Sequence, residues 1–290
     1  IGTPEALSGL LHGGQRGILK GWLPSYETFR ELAENMQSAY GLLPSRSYFN
    51  AVDTNAQPIV EFSTTTPATS YLRSVYGNTI TNFDALRRFL TGEGGVRTEP
   101  STENVDEPNV LSLQFLDRAE TDHTFFDYWE APTGIEVIQI AGWGLDTLRG
   151  IRYEGQEKTS CNADLSVCSK VAVLDPQPLF TEDGDKTVVV PSATVMSGEK
   201  FYVNLPDYNH EGILNQRRNR EHSDILEVSV VQQLIEKIIK ENSSSPLPDY
   251  ITSTQPLSSN VNQKLRIRVH SPVSLDLYDA EGNHTGIIPN

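Results

Sequence analysis

At 290 residues, with 37% hydrophobic and 8% aromatic residues, the chain has the composition of an ordinary folded protein and can bury one large core or two smaller ones. A formal net charge of −15 excludes sequence-independent nucleic-acid binding, which needs clustered Lys and Arg against phosphates. No apolar run approaches the roughly 18 residues that cross a bilayer, so no transmembrane segment is expected.

Residues 1–14 read as a strand end, a turn and a short helix. The chain opens at Ile1 without methionine or leader, so it is expected to be a piece of a longer protein. Residues 15–133 read as a helical insertion. Within it, Tyr26 to Tyr40 place Phe29, Leu32, Met36 and Ala39 on one stripe, which predicts an amphipathic helix. Thr81 followed by Asp84 suggests a capped start for a second helix carrying Phe83, Leu86 and Phe89. The polar stretch 91–108 reads as a loop.

The pattern changes at Gly134. The apolar run of 134–144 predicts a strand buried on both faces, as in a parallel sheet. Lys170–Asp175, Lys186–Ala193 and Glu199–Pro206 are further strand candidates. Ile225, Val228, Val231, Ile235 and Ile238 predict a long amphipathic helix over about 223–241. A Ser/Pro-rich linker is expected over 243–261, and period-two alternation in 262–290 resembles the start of a β-sandwich-like module.

Cys161 and Cys168, the only cysteines, enclose the polar loop Asn-Ala-Asp-Leu-Ser-Val. Further metal ligands at short spacing are missing, so no metal site is expected. The pair is either a disulfide, adding about 2–3 kcal/mol in the chain-entropy model, or two unpaired thiols. No phosphate-binding glycine motif occurs, and no cofactor is expected. Asn242 and Asn283 head glycosylation-type sequons whose use depends on the source.

Chemistry is concentrated late in the chain. Thr181–Ala193 carries Asp183 and Asp185 around one glycine, and His222 follows 37 residues after Asp185 (222 − 185), just before the long helix. An acid and then a histidine on loops beyond late strands is the order of an α/β-hydrolase triad, in which the carboxylate fixes the imidazole and the imidazole moves the serine proton. Asp183 reads as the turn former and Asp185 as the acid. The plain alternatives are a solvated acidic turn and a histidine that merely flanks a helix. His210 is the second candidate base. His12 and His123 fall in or beside the insertion, and His270 and His284 fall in the last segment, where structural roles are the default. Trp143 is a candidate for lining an acyl pocket, against a simple packing role. The basic run 216–221 reads as a solvated loop.

Five stretches in order also resemble the lecithin:cholesterol acyltransferase-like lipases of the α/β-hydrolase superfamily. They are IGTPEALSGLLHGG at the start, MQSAYGLLPSRSYF at 36–49, IQIAGWGLDTLRGIRY at 138–153, EDGDKTVVVPSA at 182–193 and EHSDIL at 221–226. The resemblance implies an α/β class, with the C-terminal half of a hydrolase sheet in 1–14 and 134–242 and a cap in 15–133. It makes Asp185 the triad acid and His222 the general base. It places a serine nucleophile and its oxyanion hole upstream of Ile1, because no Gly-x-Ser-x-Gly occurs in the chain. It implies cleavage or transfer of lipid acyl esters by a secreted or surface protein, with the present chain inactive by itself. A peptidase or amidase on the same fold is a weaker alternative. The other alternative is a non-catalytic surface or adhesion protein on a hydrolase-like scaffold.

Overall fold

The computed structural model describes residues 2–13, 25–93, 97–101, 104–161, 168–210, 219–240 and 245–256, with short strands at 277–278 and 284–285. The chain divides into two compact units, Ile1–Ser258 and Ser259–Asn290. The first is a mixed α/β unit.

It opens with α1 (Glu5–His12), which buries Leu7, Leu10 and Leu11. The single helix expected over 26–40 is instead two, α2 (Tyr26–Glu34) and α3 (Gln37–Tyr40), broken where Met36 turns extended. Only part of the predicted apolar stripe faces inward: Phe29 and Ala39 pack against the core. Leu32 and Met36 are exposed, while Arg30 is buried and donates to the carbonyls of Ser101, Asn104 and Glu107. A guanidinium with three backbone acceptors tolerates burial that a periodicity argument denies it.

Next come α4 (Arg46–Ala51), β1 (Val60–Phe62), α5 (Ser70–Tyr76), β2 (Thr79–Ile80), α6 (Phe83–Thr91) and α7 (Leu113–Asp127). Asn82, not Thr81, caps α6, accepting from the Ala85 N–H at 2.9 Å. The segment 15–133 is thus not purely helical: β1 pairs antiparallel with β2 and parallel with a later strand, β4 (Thr147–Cys161). With β5 (Cys168–Thr181) these form a sheet in the order β2-β1-β4-β5. Phe62 and Tyr153 stack in the core and Phe89 meets both edge-on, with ring centroids 5.6 to 5.9 Å apart. The long β4–β5 hairpin ends with Cys161 opposite Cys168. Cys168 is disulfide-bonded, and the sequence offers no other partner than Cys161.

A second sheet holds β3 (Ile138–Trp143), β6 (Glu199–Asn204) and β7 (Ile251–Thr252). β3 and β6 run parallel in register from Ile138 opposite Glu199 to Trp143 opposite Asn204. Alternation along these strands sends Ile138, Ile140, Phe201 and Val203 to one face, against Val231 and Leu234 of α10 (Ser229–Ile239). Ala141, Trp143 and Tyr202 face the other way, against Val190 of the short α8 (Val190–Ala193). Both faces are covered over 138–143, as expected, while 134–136 of the expected strand lie outside it and are exposed.

Three predicted elements differ. Residues 186–193 form a turn and α8 rather than a strand. The helix expected over 223–241 is a 3-10 turn, His222–Glu227, followed by α10. The first part of the expected linker belongs to the core, because Thr252 and Ile251 pair with Tyr202 and Val203. Among the described residues no helix is long and apolar enough to cross a membrane. In the second unit β8 (Leu277–Tyr278) and β9 (His284–Thr285) pair antiparallel. The alternating segment 265–275, His270 and residues 216–218 of the basic run lie outside the described residues.

Candidate active site

Parallel β3 and β6 end on the same side, and in open α/β sheets ligands bind beyond the carboxyl ends of such strands. The segment after β5 returns to this edge. Gly144 and Leu145 donate their N–H groups to the carbonyls of Glu182 and Gly184, at 2.7 and 3.0 Å, and Leu145 bridges Asp185 in parallel. That contact sets Asp185 at the end of β3. The other partner arrives from β6, which runs into α9 (Leu205–His210) and then, from residue 219, into the turn at His222.

Asp185 is 5% exposed. Its Oδ1 accepts from the N–H groups of Thr187 at 3.2 Å and Val188 at 2.8 Å, which points Oδ2 outward. Oδ2 lies 2.9 Å from Nδ1 of His222, and the His222 N–H donates to the Asp185 carbonyl at 3.0 Å. An ionised carboxylate only accepts, so this contact assigns the neutral ring proton to Nδ1 and leaves the lone pair on Nε2. The imidazole side chain is 46% exposed, and Nε2 has no protein partner among the described residues. The pair can therefore take a proton from a group presented at Nε2, with the carboxylate stabilising the imidazolium that forms.

The Asp185 turn is held from below by Thr147, which is fully buried. Its hydroxyl donates to the Leu145 carbonyl and accepts from the Lys186 N–H, both at 2.8 Å. Gly142 permits the close approach: a Cβ there would lie 2.7 Å from Leu205 Cδ1, 2.9 Å from Asp185 Cβ and 3.1 Å from Ile225 Cδ1. Lys186 sits in the left-handed region at φ 85° and pairs through its ammonium with Glu221. The start of the chain also reaches this turn, as Thr3 donates to the Thr187 carbonyl at 3.1 Å. Glu221 and Asp224 cap one another across His222, and the Glu221 N–H at 2.7 Å, with Arg220 adding to it, holds the Asp224 carboxyl below its ordinary value.

The remaining candidates are placed elsewhere. The Asp183 carbonyl accepts from Val190 at 2.8 Å, a turn-forming contact. Trp143 follows Gly142, so its side chain leaves the opposite face of β3 from Asp185; it packs on Ala141, Val190 and Tyr202 with its indole N–H buried and unpartnered among the described residues. His210 is exposed at the end of α9. His12 is buried between the Val105 carbonyl and the Tyr153 hydroxyl, each at 2.7 Å. His123 meets the Gly41 carbonyl at 2.8 Å. Arg220 of the basic run is occupied by Asp224 and Glu227, which fits a solvated loop. Thr147 and Lys186 fall inside the stretches 138–153 and 182–193 without a role assigned there, and Asn209 carries no sequence signal. Among the described residues no group of three or more His, Cys, Asp or Glu side chains could hold a metal ion. Comparison with protein-family models, curated proteins and solved structures matches this chain to none of them.

Proposed function

We propose that the chain supplies the acid and the general base of a serine hydrolase or acyltransferase that acts on lipid acyl esters. Asp185 orients His222, and His222 Nε2 takes the proton of a serine carried upstream and returns it to the leaving alcohol. The observation that carries this reading is the 2.9 Å contact between a buried, doubly donor-held carboxylate and a half-exposed imidazole beyond the ends of two parallel strands. The hydrolase sheet, the cap and the extracellular setting rest on the motif resemblance. The disulfide favours an oxidising compartment. An apolar substrate is favoured by the aromatic cluster at the end of α7, where Phe125, Phe126 and Tyr128 are each at least 65% exposed.

The test uses the longer protein that carries the upstream elbow. Asp185→Asn and His222→Ala are each expected to lower turnover of a p-nitrophenyl acyl ester by about 10³- to 10⁴-fold. Turnover within about threefold of the unchanged protein in either variant removes the catalytic assignment. An elbow without serine, together with no ester turnover, returns the chain to the reading of a non-catalytic surface scaffold.

A further inference from the structure

Residues 219–221, which lead into His222, belong to neither sheet, so something must fix where they enter the site. Arg220, two residues before His222, has both backbone groups satisfied by one side chain. Asn209 Nδ2 donates to the Arg220 carbonyl at 2.9 Å, and the Arg220 N–H donates to Asn209 Oδ1 at 2.8 Å. Asn209 stands on α9, which continues directly from β6, and β6 is locked to β3 over six register pairs. The amide therefore substitutes for a strand partner and ties the approach to His222 to α9 and, through it, to the β3–β6 pair.

The His222 N–H bond to the Asp185 carbonyl and the Glu221–Asp224 cap hold His222 from its other side, whereas the ion pairs around the entering residues are weak restraints. The Lys186–Glu221 pair has side chains 51% and 31% exposed, and Arg220–Glu227 has 31% and 66%. Exposed ion pairs of this kind contribute little because solvent and salt screen them. The Asn209 bonds are part-buried and neutral, and they engage backbone groups that would otherwise lack partners. The chemistry is also selective. One donor and one acceptor must lie on one planar group, which aspartate cannot supply and serine cannot span.

We propose that Asn209 is a positioning residue for His222: through the Arg220 backbone it holds the imidazole against Asp185 in the Nδ1–H form. This deepens the proposed function and rests on the Asp185–His222 pair being the working one.

The experiment reads the tautomer of His222 in the full 290-residue chain, by long-range ¹⁵N–¹H correlation of the ring nitrogens, with His222→Gln to assign the signals. The unchanged chain is expected in the Nδ1–H form. Asn209→Ala is expected to lower the ratio of Nδ1–H to Nε2–H by about tenfold, the effect of losing a pair of neutral hydrogen bonds. Asn209→Asp keeps the acceptor for the Arg220 N–H but loses the donor. It is expected to fall between the two, and it serves if Asn209→Ala does not fold. Asn204→Ala, which removes the Asp207 N–H acceptor at the other end of α9, is expected to leave the ratio unchanged. A ratio within about twofold of the unchanged chain in Asn209→Ala and Asn209→Asp overturns the positioning role and leaves the proposed function standing. An equal loss in Asn204→Ala overturns it too, by showing that any damage to α9 suffices. An unchanged chain already in the Nε2–H form overturns both the positioning role and the acid–histidine pair.

Discussion

Thr147→Val isolates the support beneath Asp185. The side chain is fully buried, and valine keeps its branched shape while exchanging the hydroxyl for a methyl. Two partners lose that hydroxyl, the Leu145 carbonyl and the Lys186 N–H, each at 2.8 Å. A buried polar group left without a partner costs about 1–3 kcal/mol. Both groups are part-buried, which places the pair near the lower end at roughly 3 kcal/mol in total. For a unit of this size each kcal/mol moves the midpoint by about 2–4 °C, so thermal unfolding followed by circular dichroism is expected about 6–12 °C lower. Thr147→Ser keeps the hydroxyl and loses only a methyl, and should recover at least half of that loss. A Thr147→Val midpoint within about 2 °C of the unchanged chain refutes the reasoning, as does an equal fall in Thr147→Ser.

Tyr153→Phe removes the buried hydrogen bond between its hydroxyl and His12 Nε2, and chemical denaturation is expected to show a loss of about 0.5–1.5 kcal/mol. Reducing the disulfide, which spans eight residues from Cys161 to Cys168 (168 − 161 + 1), is expected to cost about 2.5 kcal/mol in the chain-entropy model, measured by calorimetry with and without reductant. Lys186→Gly should be more stable than Lys186→Ala by about 1 kcal/mol, since only glycine accepts φ 85° without strain. Asp224 has its folded carboxyl held low by the Glu221 N–H, so its stabilisation is complete above the ordinary carboxylate value near about 3.9 and disappears as pH falls through the lower folded value. Asp224→Asn is therefore expected to flatten the acid limb of a stability–pH curve below about pH 4; an unchanged limb counts against the cap.

Much of the second sheet was legible because its strands are buried on both faces. Phe201 to Val203 is an unbroken apolar run and Ile138 to Ala141 is interrupted only by Gln139, a pattern that a strand covered on both faces produces. The insertion was harder, because its interior is partly polar. Arg30 lies inside on three carbonyls that are more than 70 positions away in sequence, and nothing local in Tyr26 to Tyr40 announces those acceptors. Period arguments score side chains by hydropathy, so they sent Leu32 and Met36 inward in its place. The strands β1 and β2 were missed for a related reason: two or three residues are too short to show alternation, and their partners are supplied by β4 and by each other.

The candidate site was legible in residue type and order, and its clearest misreading is informative about the acid. Val188, Val189 and Val190 follow Lys186-Thr187 as a β-branched run, which local propensity assigns to a strand. The N–H groups of Thr187 and Val188 instead turn back onto Asp185 Oδ1, and a donor spent on a carboxylate is lost to any ladder. Pro191 then removes a further donor and opens α8. The missing strand and the oriented carboxylate are thus one fact: the backbone makes only isolated bridges here, and the turn that spends two N–H groups on Oδ1 leaves the other Asp185 oxygen toward His222. A conflict between propensity and structure that coincides with a buried, donor-held acid is where sequence rules are expected to give way to function.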